Sequence, residues 1–374
     1  MMLVPGSIPR ISSPESMIKC SIKFETRLLF RIIRDSLLLC LLALRVKKRT
    51  LNILISVFAT TAILIFLFYK VRIKLSVLDL QYASSLIFDS WETIILLCTV
   101  FLLMPLNLLT EALKWQKVAN SLHPVSIKNA YSGILAGITA GLLLPNRVGD
   151  FAGKALVLPL NQFWKGSVLA VFTSIAQLAV TIVAGLCAVA WFGPSFFSFA
   201  GLPGGFLTTI VAICGIVSIL LLYFSIHLVA FLFRKWKKLH KTISVIESVK
   251  TSLKFRIFLL SVLRYFVFAG QNLLLLTLFE VKIPLPDSFF LIALMYLFLT
   301  AIPTFVITDF PARSSVMLLI FLAWYEMNGM EIPYALEAKI IYTSFSIWVI
   351  NLIIPAVPGL YYLNKFSLLR KEKS

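Results

Sequence analysis

The chain has 374 residues, of which 60% are hydrophobic and only 14% charged. Soluble domains carry about 25% charged residues, so a soluble globular protein is excluded and an integral membrane protein expected. The net charge of +19, from 35 Lys and Arg against 16 acids, would suggest nucleic acid in a soluble protein. Here the basic residues flank apolar runs, so membrane topology accounts for most of them and anionic head groups are the natural partner of the rest.

The apolar runs are continuous instead of alternating, which indicates helices and not a β-barrel. Residues 1–22 contain Pro5, Pro9 and Pro14 and are expected to lack regular structure. In the following stretch Arg27, Arg31, Arg34, Arg45 and Arg49 share one helical face opposite Leu, Ile and Phe. That is the pattern of a helix lying in the membrane interface, with a short apolar anchor as the alternative. Six segments then look able to span: Leu51–Tyr69, Thr93–Leu113, Ser167–Trp191, Leu207–Phe233, Phe258–Phe279 and Ile340–Leu363. Five cysteines (Cys20, Cys40, Cys98, Cys187, Cys214) and three histidines (His123, His227, His240) are scattered, so no metal site, disulfide framework or redox cofactor is expected.

Two apolar regions are broken. Ala130–Leu144 is stopped by Pro145; Ser288–Ile302 is stopped by Pro303 and resumes at Ser314–Tyr325. At 1.5 Å per residue, a run of about 15 residues covers only ~22 Å of a ~30 Å hydrocarbon layer. The N-terminal basic residues, the run RKWKKLHK (Arg234 to Lys241) and the tail bearing Lys365, Arg370, Lys371 and Lys373 should all be cytoplasmic. This parity requires the region 130–165 to enter and leave on the cytoplasmic side, and 288–325 to enter and leave on the other. It leaves Lys70, Arg72, Lys74, Lys282 and Lys339 outside and Arg264 and Arg313 at membrane depth, with every other basic residue cytoplasmic. Parity alone does not separate re-entrant loops from pairs of short spans.

The expected fold is therefore an all-α polytopic membrane protein, with six spanning helices plus two broken or re-entrant helical hairpins in an inverted-topology repeat. Residues 1–50 form the tail and interfacial helix, 51–191 the first repeat, 207–363 the second, inverted repeat, and 364–374 a basic cytoplasmic tail. Pro-interrupted segments at matching positions of inverted halves point to a transporter-type substrate site.

Both hairpins carry a proline, an aspartate and a base four residues later: Pro145, Asp150, Lys154 and Pro303, Asp309, Arg313. An acid and a base at i, i+4 meet on one helix face, and Arg147 adds a further cation to the first hairpin. Charges at membrane depth should be paired or line a cavity, although a solvated cytoplasmic loop would explain the first cluster equally well. Glu111 and Arg264 are further candidates for a cavity, lying near span ends where snorkelling is the common alternative. Gln177, Gln271 and Asn272 read as interhelical hydrogen-bond glue. Aromatic residues near span ends read as interfacial anchors.

At LLPNRVGDFAGK the sequence resembles the lysylphosphatidylglycerol synthase transmembrane family, also called the flippase-like domain, whose stretch is a proline, Arg-x-Gly-acid and then a base. Here these are Pro145, Arg147, Gly149, Asp150 and Lys154. Lys114 and Trp115 resemble the family's basic–Trp pair. IPTFVITDFPARSS keeps the proline and Arg313 of the second signature but lacks its glycines, and its acid stands at Asp309. The resemblance spans about residues 45–365. It implies a polytopic domain that moves a phospholipid between leaflets, and with the chain ending eleven residues after the last span, the aminoacyltransferase activity of two-domain members should be absent.

The reading is a stand-alone flippase or lipid-linked transporter of the cytoplasmic membrane, with both termini cytoplasmic and no enzymatic activity. Arg147, Lys154 and Arg313 would bind phosphate of an anionic or zwitterionic phospholipid, and Asp150 and Asp309 would hold those cations or engage an amine. No nucleic acid partner and no cofactor is expected; GxxxxGK[ST] is absent. The alternatives are a membrane-embedded enzyme acting on a lipid-linked substrate, or an accessory membrane protein.

Overall fold

Every regular element among the described residues is a helix. The computed structural model describes residues 90–143, 148–199, 206–226, 244–302, 306–333 and 335–371, all within the unit Ile63–Ser374. The interfacial helix, the first expected span Leu51–Tyr69, Arg147 and the RKWKKLHK run lie outside these residues.

Five stretches are long and apolar enough to cross a membrane: Trp91–Ala119, Leu160–Gly193, Leu207–Phe224, Thr251–Leu278 and Leu336–Phe366. They correspond to the last five expected spans. In chain order the helices are α1 Trp91–Ala119, α2 Ile127–Leu143, α3 Val148–Ala155, α4 Phe163–Phe199, α5 Phe206–Phe224, α6 Thr251–Leu278, α7 Leu285–Ala301, α8 Val306–Met327, α9 Leu336–Trp348 and α10 Ile354–Lys371. A π turn, Val349–Ile353, joins the last two.

The ends of these helices differ from the sequence reading for local reasons. α1 starts at a capping box, in which the Ser90 hydroxyl accepts from Thr93 N and the Thr93 hydroxyl accepts from Ser90 N, both at 3.3 Å. α5 ends at Phe224, whose carbonyl is satisfied by Lys254 Nζ at 3.0 Å, and the rest of the expected span to Phe233 lies outside the described residues from 227 on. The Tyr223 hydroxyl donates in turn to the Lys254 carbonyl (2.9 Å). This tie lets α6 begin at Thr251, two turns before the expected Phe258.

α2 and α3 form the first hairpin, packed backbone to backbone. A Cβ on Gly149 would meet the Ala140 carbonyl, and one on Gly153 would meet the Gly137 backbone; only glycine permits this approach. α3 has eight residues, so it rises only about 12 Å and cannot cross a bilayer. The chain after it has already returned to the level of Gly133, which lies against Val157. The second hairpin, α7 and α8, closes at its base, where the Tyr325 hydroxyl donates to the Lys282 carbonyl at 2.9 Å.

The bases of the hairpins lie at opposite ends of α4. Near its start Gly166 packs against Leu158, just after the first hairpin. At its far end Trp191 Nε1 donates to Asp287 Oδ1 (3.0 Å), at the foot of the second. The packing is reciprocal: α4 runs along α7 of the second hairpin, and α10 runs along α2 of the first, where Thr139 Oγ1 donates to the Ala356 carbonyl at 2.8 Å. Between them α1 and α6 pair antiparallel, fastened by Gln271 Nε2 to the Val100 carbonyl (2.9 Å) and by Lys114 Nζ to Ser261 Oγ (3.2 Å).

Charge divides along this axis. Lys117, Lys128, Lys165, Lys250, Arg256 and Lys365 lie toward the end holding the base of the first hairpin, with Glu247 the exception there, and Glu280, Asp287, Glu326 and Glu337 toward the other, together with Lys282 and Lys339. Three cations that the sequence reading had placed in the cytoplasm are buried, one of them Lys254, at 4% exposure where it caps α5. The other two, Lys114 and Lys154, are buried at 0% and 3% exposure, because α1 continues beyond Lys114 and α3 folds back under α2.

Candidate functional site

A cavity of about 450 Å³ opens where the charged ends of the two hairpins meet, and its walls include Glu111, Asp150, Lys154, Arg264, Asp309 and Arg313. These are the expected site residues other than Arg147, which lies outside the described residues. The remaining wall is apolar, with Ile138, Leu178, Phe268 and Leu299 among its side chains.

Glu111 is the electrostatic centre. Its Oε2 receives Lys114 Nζ at 2.7 Å and Arg264 Nη1 at 2.9 Å, while its Oε1 receives Lys154 Nζ at 2.9 Å. One carboxylate thus ties α1, α3 and α6 together. Lys154 also meets Asp150 Oδ2 at 2.7 Å, which is the i, i+4 pair of the first hairpin. Lys114 completes its set with Gln177 Oε1 of α4 (3.1 Å) and Ser261 Oγ. Three protons, three acceptors: Lys114 is saturated.

An amide chain extends from this cluster. Arg264 Nε donates to Asn107 Oδ1 (2.9 Å), Asn107 Nδ2 to Asn351 Oδ1 (3.0 Å), and Asn351 Nδ2 to Gln271 Oε1 (3.1 Å). Each amide oxygen is occupied, so the chain fixes the direction of every link. Asn351 sits in the π turn and lines the cavity, as do Ile347 and Trp348 just before that turn. Such turns recur at functional sites.

The second hairpin is held more loosely. Arg313 Nη2 reaches Asp309 Oδ2 at 3.4 Å, and its Nη1 donates to the Tyr296 hydroxyl at 3.3 Å. Its Nε is buried without a partner among the described residues. Tyr296 accepts a second bond from Asn272 Nδ2 at 3.1 Å. With both lone pairs engaged, its own proton is left to donate.

What the cavity offers is donors. Lys154 has one N–H beyond its two acids, Arg264 has its Nη2, Arg313 has Nε, and Tyr296 has its hydroxyl proton. Every oxygen of Glu111 and of the chain amides already accepts a hydrogen bond, and the remaining carboxylates of the wall are Asp150 and Asp309. Among the lining charges, three acids balance three bases, and Lys114 behind Glu111 leaves one positive charge in excess. A polar, donor-rich pole against an apolar wall suits the anionic head of an amphiphile.

Lys114, Tyr296, Asn351 and Gln177 take part without having been expected to. Gln177 lines the cavity and also fastens α4 to α1 and α6, and Gln271 and Asn272 fasten helices too, as the sequence suggested. Tyr296 and Trp348 also line the cavity. Among the described residues no group of three or more His, Cys, Asp or Glu could hold a metal ion. Compared with known proteins, the chain matches no family model and no curated relative.

Proposed function

We propose that this protein moves a phospholipid or lipid-linked molecule between the leaflets of a membrane, as a flippase or transporter without a covalent step. One observation carries the reading: charged pairs from two hairpins that start at opposite ends of α4 line a single cavity, and its unspent groups are donors. The phosphate would lie on Arg313 Nε, Arg264 Nη2, Lys154 Nζ and the Tyr296 hydroxyl. Asp150 would accept from an amine or hydroxyl on the head group.

In this proposal the chain is an inverted repeat of six spans and two hairpins in the cytoplasmic membrane, with its basic end and both termini in the cytoplasm. The reciprocal packing of α4 on α7 and α10 on α2 favours it, as does the flippase-like stretch around Gly149 and Asp150. Rocking of the halves would expose the cavity to each leaflet in turn. The polar contacts between halves, Arg264 to Glu111 and Asn107 to Asn351, are those that must change.

The test is a proteoliposome assay following a fluorescent phospholipid between leaflets. Wild type should equilibrate the label, and an Arg264→Gln, Arg313→Gln double variant that melts normally should do so at least tenfold more slowly. An inert wild type, or a double variant of equal speed, sinks the proposal. Chemical turnover of a lipid-linked precursor would replace it with an enzyme.

A further inference from the structure

A second concavity, of about 530 Å³, lies outside the central cavity where the last turn of α1 meets the first turns of α6. Its polar end is formed by Lys117 and Arg256, and its floor by Leu259, Leu260, Leu263 and Phe266. The two cations are far apart in sequence. The antiparallel pairing of α1 and α6 makes them neighbours, since Lys114 already bonds Ser261 one turn deeper. Both are exposed, and neither forms an ion pair among the described residues.

The floor follows the helical spacing of Arg256, Leu259, Leu263 and Phe266, which is one face of α6. Its apolar side chains are open, at 58%, 50% and 56% exposure for Leu259, Leu263 and Phe266. Ten residues separate Arg256 from Phe266, so the floor runs about 15 Å along the helix axis. That equals roughly half of a ~30 Å hydrocarbon core, the depth of one leaflet. The groove therefore has two positive groups at one end, and below them one leaflet's depth of apolar surface. No acid lines it.

We infer that this groove is a binding site for an anionic phospholipid of the leaflet at the basic end of the protein. The phosphate lies between Lys117 and Arg256, where long basic side chains reach the interface. One acyl chain lies along Leu259, Leu263 and Phe266. Charge complementarity selects the occupant: a zwitterionic head group would bring its own cation against Lys117 and Arg256. The site is distinct from the central cavity, because Arg264 lines that cavity, where it bonds Glu111, and not the groove.

The test uses the full chain purified from nanodiscs of equimolar phosphatidylglycerol and phosphatidylcholine, with retained lipid counted by native mass spectrometry. Phosphatidylglycerol should be retained at one molecule per chain in preference to phosphatidylcholine. A Lys117→Gln, Arg256→Gln double variant should hold it roughly thirtyfold more weakly, from two cations at the membrane surface. Lys365→Gln removes a cation at the same end but outside the groove and should change nothing; an equal loss there would mean diffuse attraction and overturn the site. An Arg264→Gln, Arg313→Gln variant should retain the lipid, which separates this inference from the proposed transport. Equal retention of the two lipids, or cross-linking of Leu263→Cys to protein in native membranes, would overturn it as well, the latter by placing a second copy or another part of the chain in the groove.

Discussion

Asp150–Lys154 and Asp309–Arg313 have the same spacing in helices that follow hairpin turns, yet they are held very differently. In the first hairpin the pair closes to 2.7 Å and Lys154 is also bound to Glu111. The helix bearing it is pressed backbone to backbone on α2 through Gly149 and Gly153. In the second the pair stands at 3.4 Å, Arg313 Nε has no partner among the described residues, and α7 and α8 meet through the side chains of Tyr296 and Arg313. A buried charge with most of its partners in place has little to gain from a ligand; one with idle donors has much. The first hairpin is the anchor of the site, and the second is the part that waits for an anion.

The largest expected effect therefore lies at the anchor. Glu111→Gln removes the one carboxylate shared by Lys114, Lys154 and Arg264, leaving buried cations uncompensated, and should cost about 3–5 kcal/mol. Thermal unfolding in detergent measures this. Melting within a degree of wild type would mean that Glu111 does not organise the cluster. Gly153→Leu comes next: its side chain has nowhere to go but into the Gly137 backbone, and overpacking of this kind costs about 3 kcal/mol. Ala312 on α8 is fully buried but packs against the side chains of Leu299 and Ile302. Ala312→Leu should therefore cost less, about 1 kcal/mol; a stability scan of both hairpins decides whether the contrast in rigidity is real.

The hairpins were legible in the sequence because Pro145 and Pro303 interrupt apolar runs too short to cross, and because charge parity then required each to return to its own side. Glu111, Asp150, Lys154, Arg264, Asp309 and Arg313 were legible as costly charges in apolar surroundings. Lys114 was not. It stands near the end of an apolar run, beside Lys117, and hydropathy reads both as the first residues of a loop. Its burial depends on Gln177 and Ser261, 63 and 147 residues away, and no local pattern announces such partners. Tyr296 was hidden for the opposite reason, since an aromatic residue in an apolar run looks like any other core residue. Asn351 was hidden because a lone amide in an apolar stretch gives no sign of its partners Asn107 and Gln271, 244 and 80 residues away.

A smaller effect tests the waiting half of the site. Tyr296→Phe removes the oxygen that accepts from both Arg313 and Asn272 but keeps the ring that lies 5.7 Å from the guanidinium. The loss of stability should be only about 1 kcal/mol. Lipid movement should fall about tenfold in the proteoliposome assay, because the variant lacks a donor and leaves Arg313 free to turn. A stability loss as large as that of Glu111→Gln would instead make the second hairpin an anchor like the first.

The smallest effect belongs to an ion pair outside the cavity. Lys339 at the start of α9 meets Glu280 at 3.0 Å, beyond the end of α6, and this carboxylate is 56% exposed. Water and salt screen such a pair, and ordering two long side chains offsets part of the attraction. Lys339→Met should therefore change stability by less than about 1 kcal/mol, and even that difference should vanish in roughly 1 M salt, where the Debye length falls to about 3 Å. The Glu111 cluster is buried and should keep its contribution under the same conditions. Melting wild type, Lys339→Met and Glu111→Gln at low and high salt thus compares a pair formed by a buried lysine and a solvated carboxylate with a cluster whose carboxylate is buried. If salt erased both differences alike, water would have to reach Glu111, and the anchor would be a solvated patch.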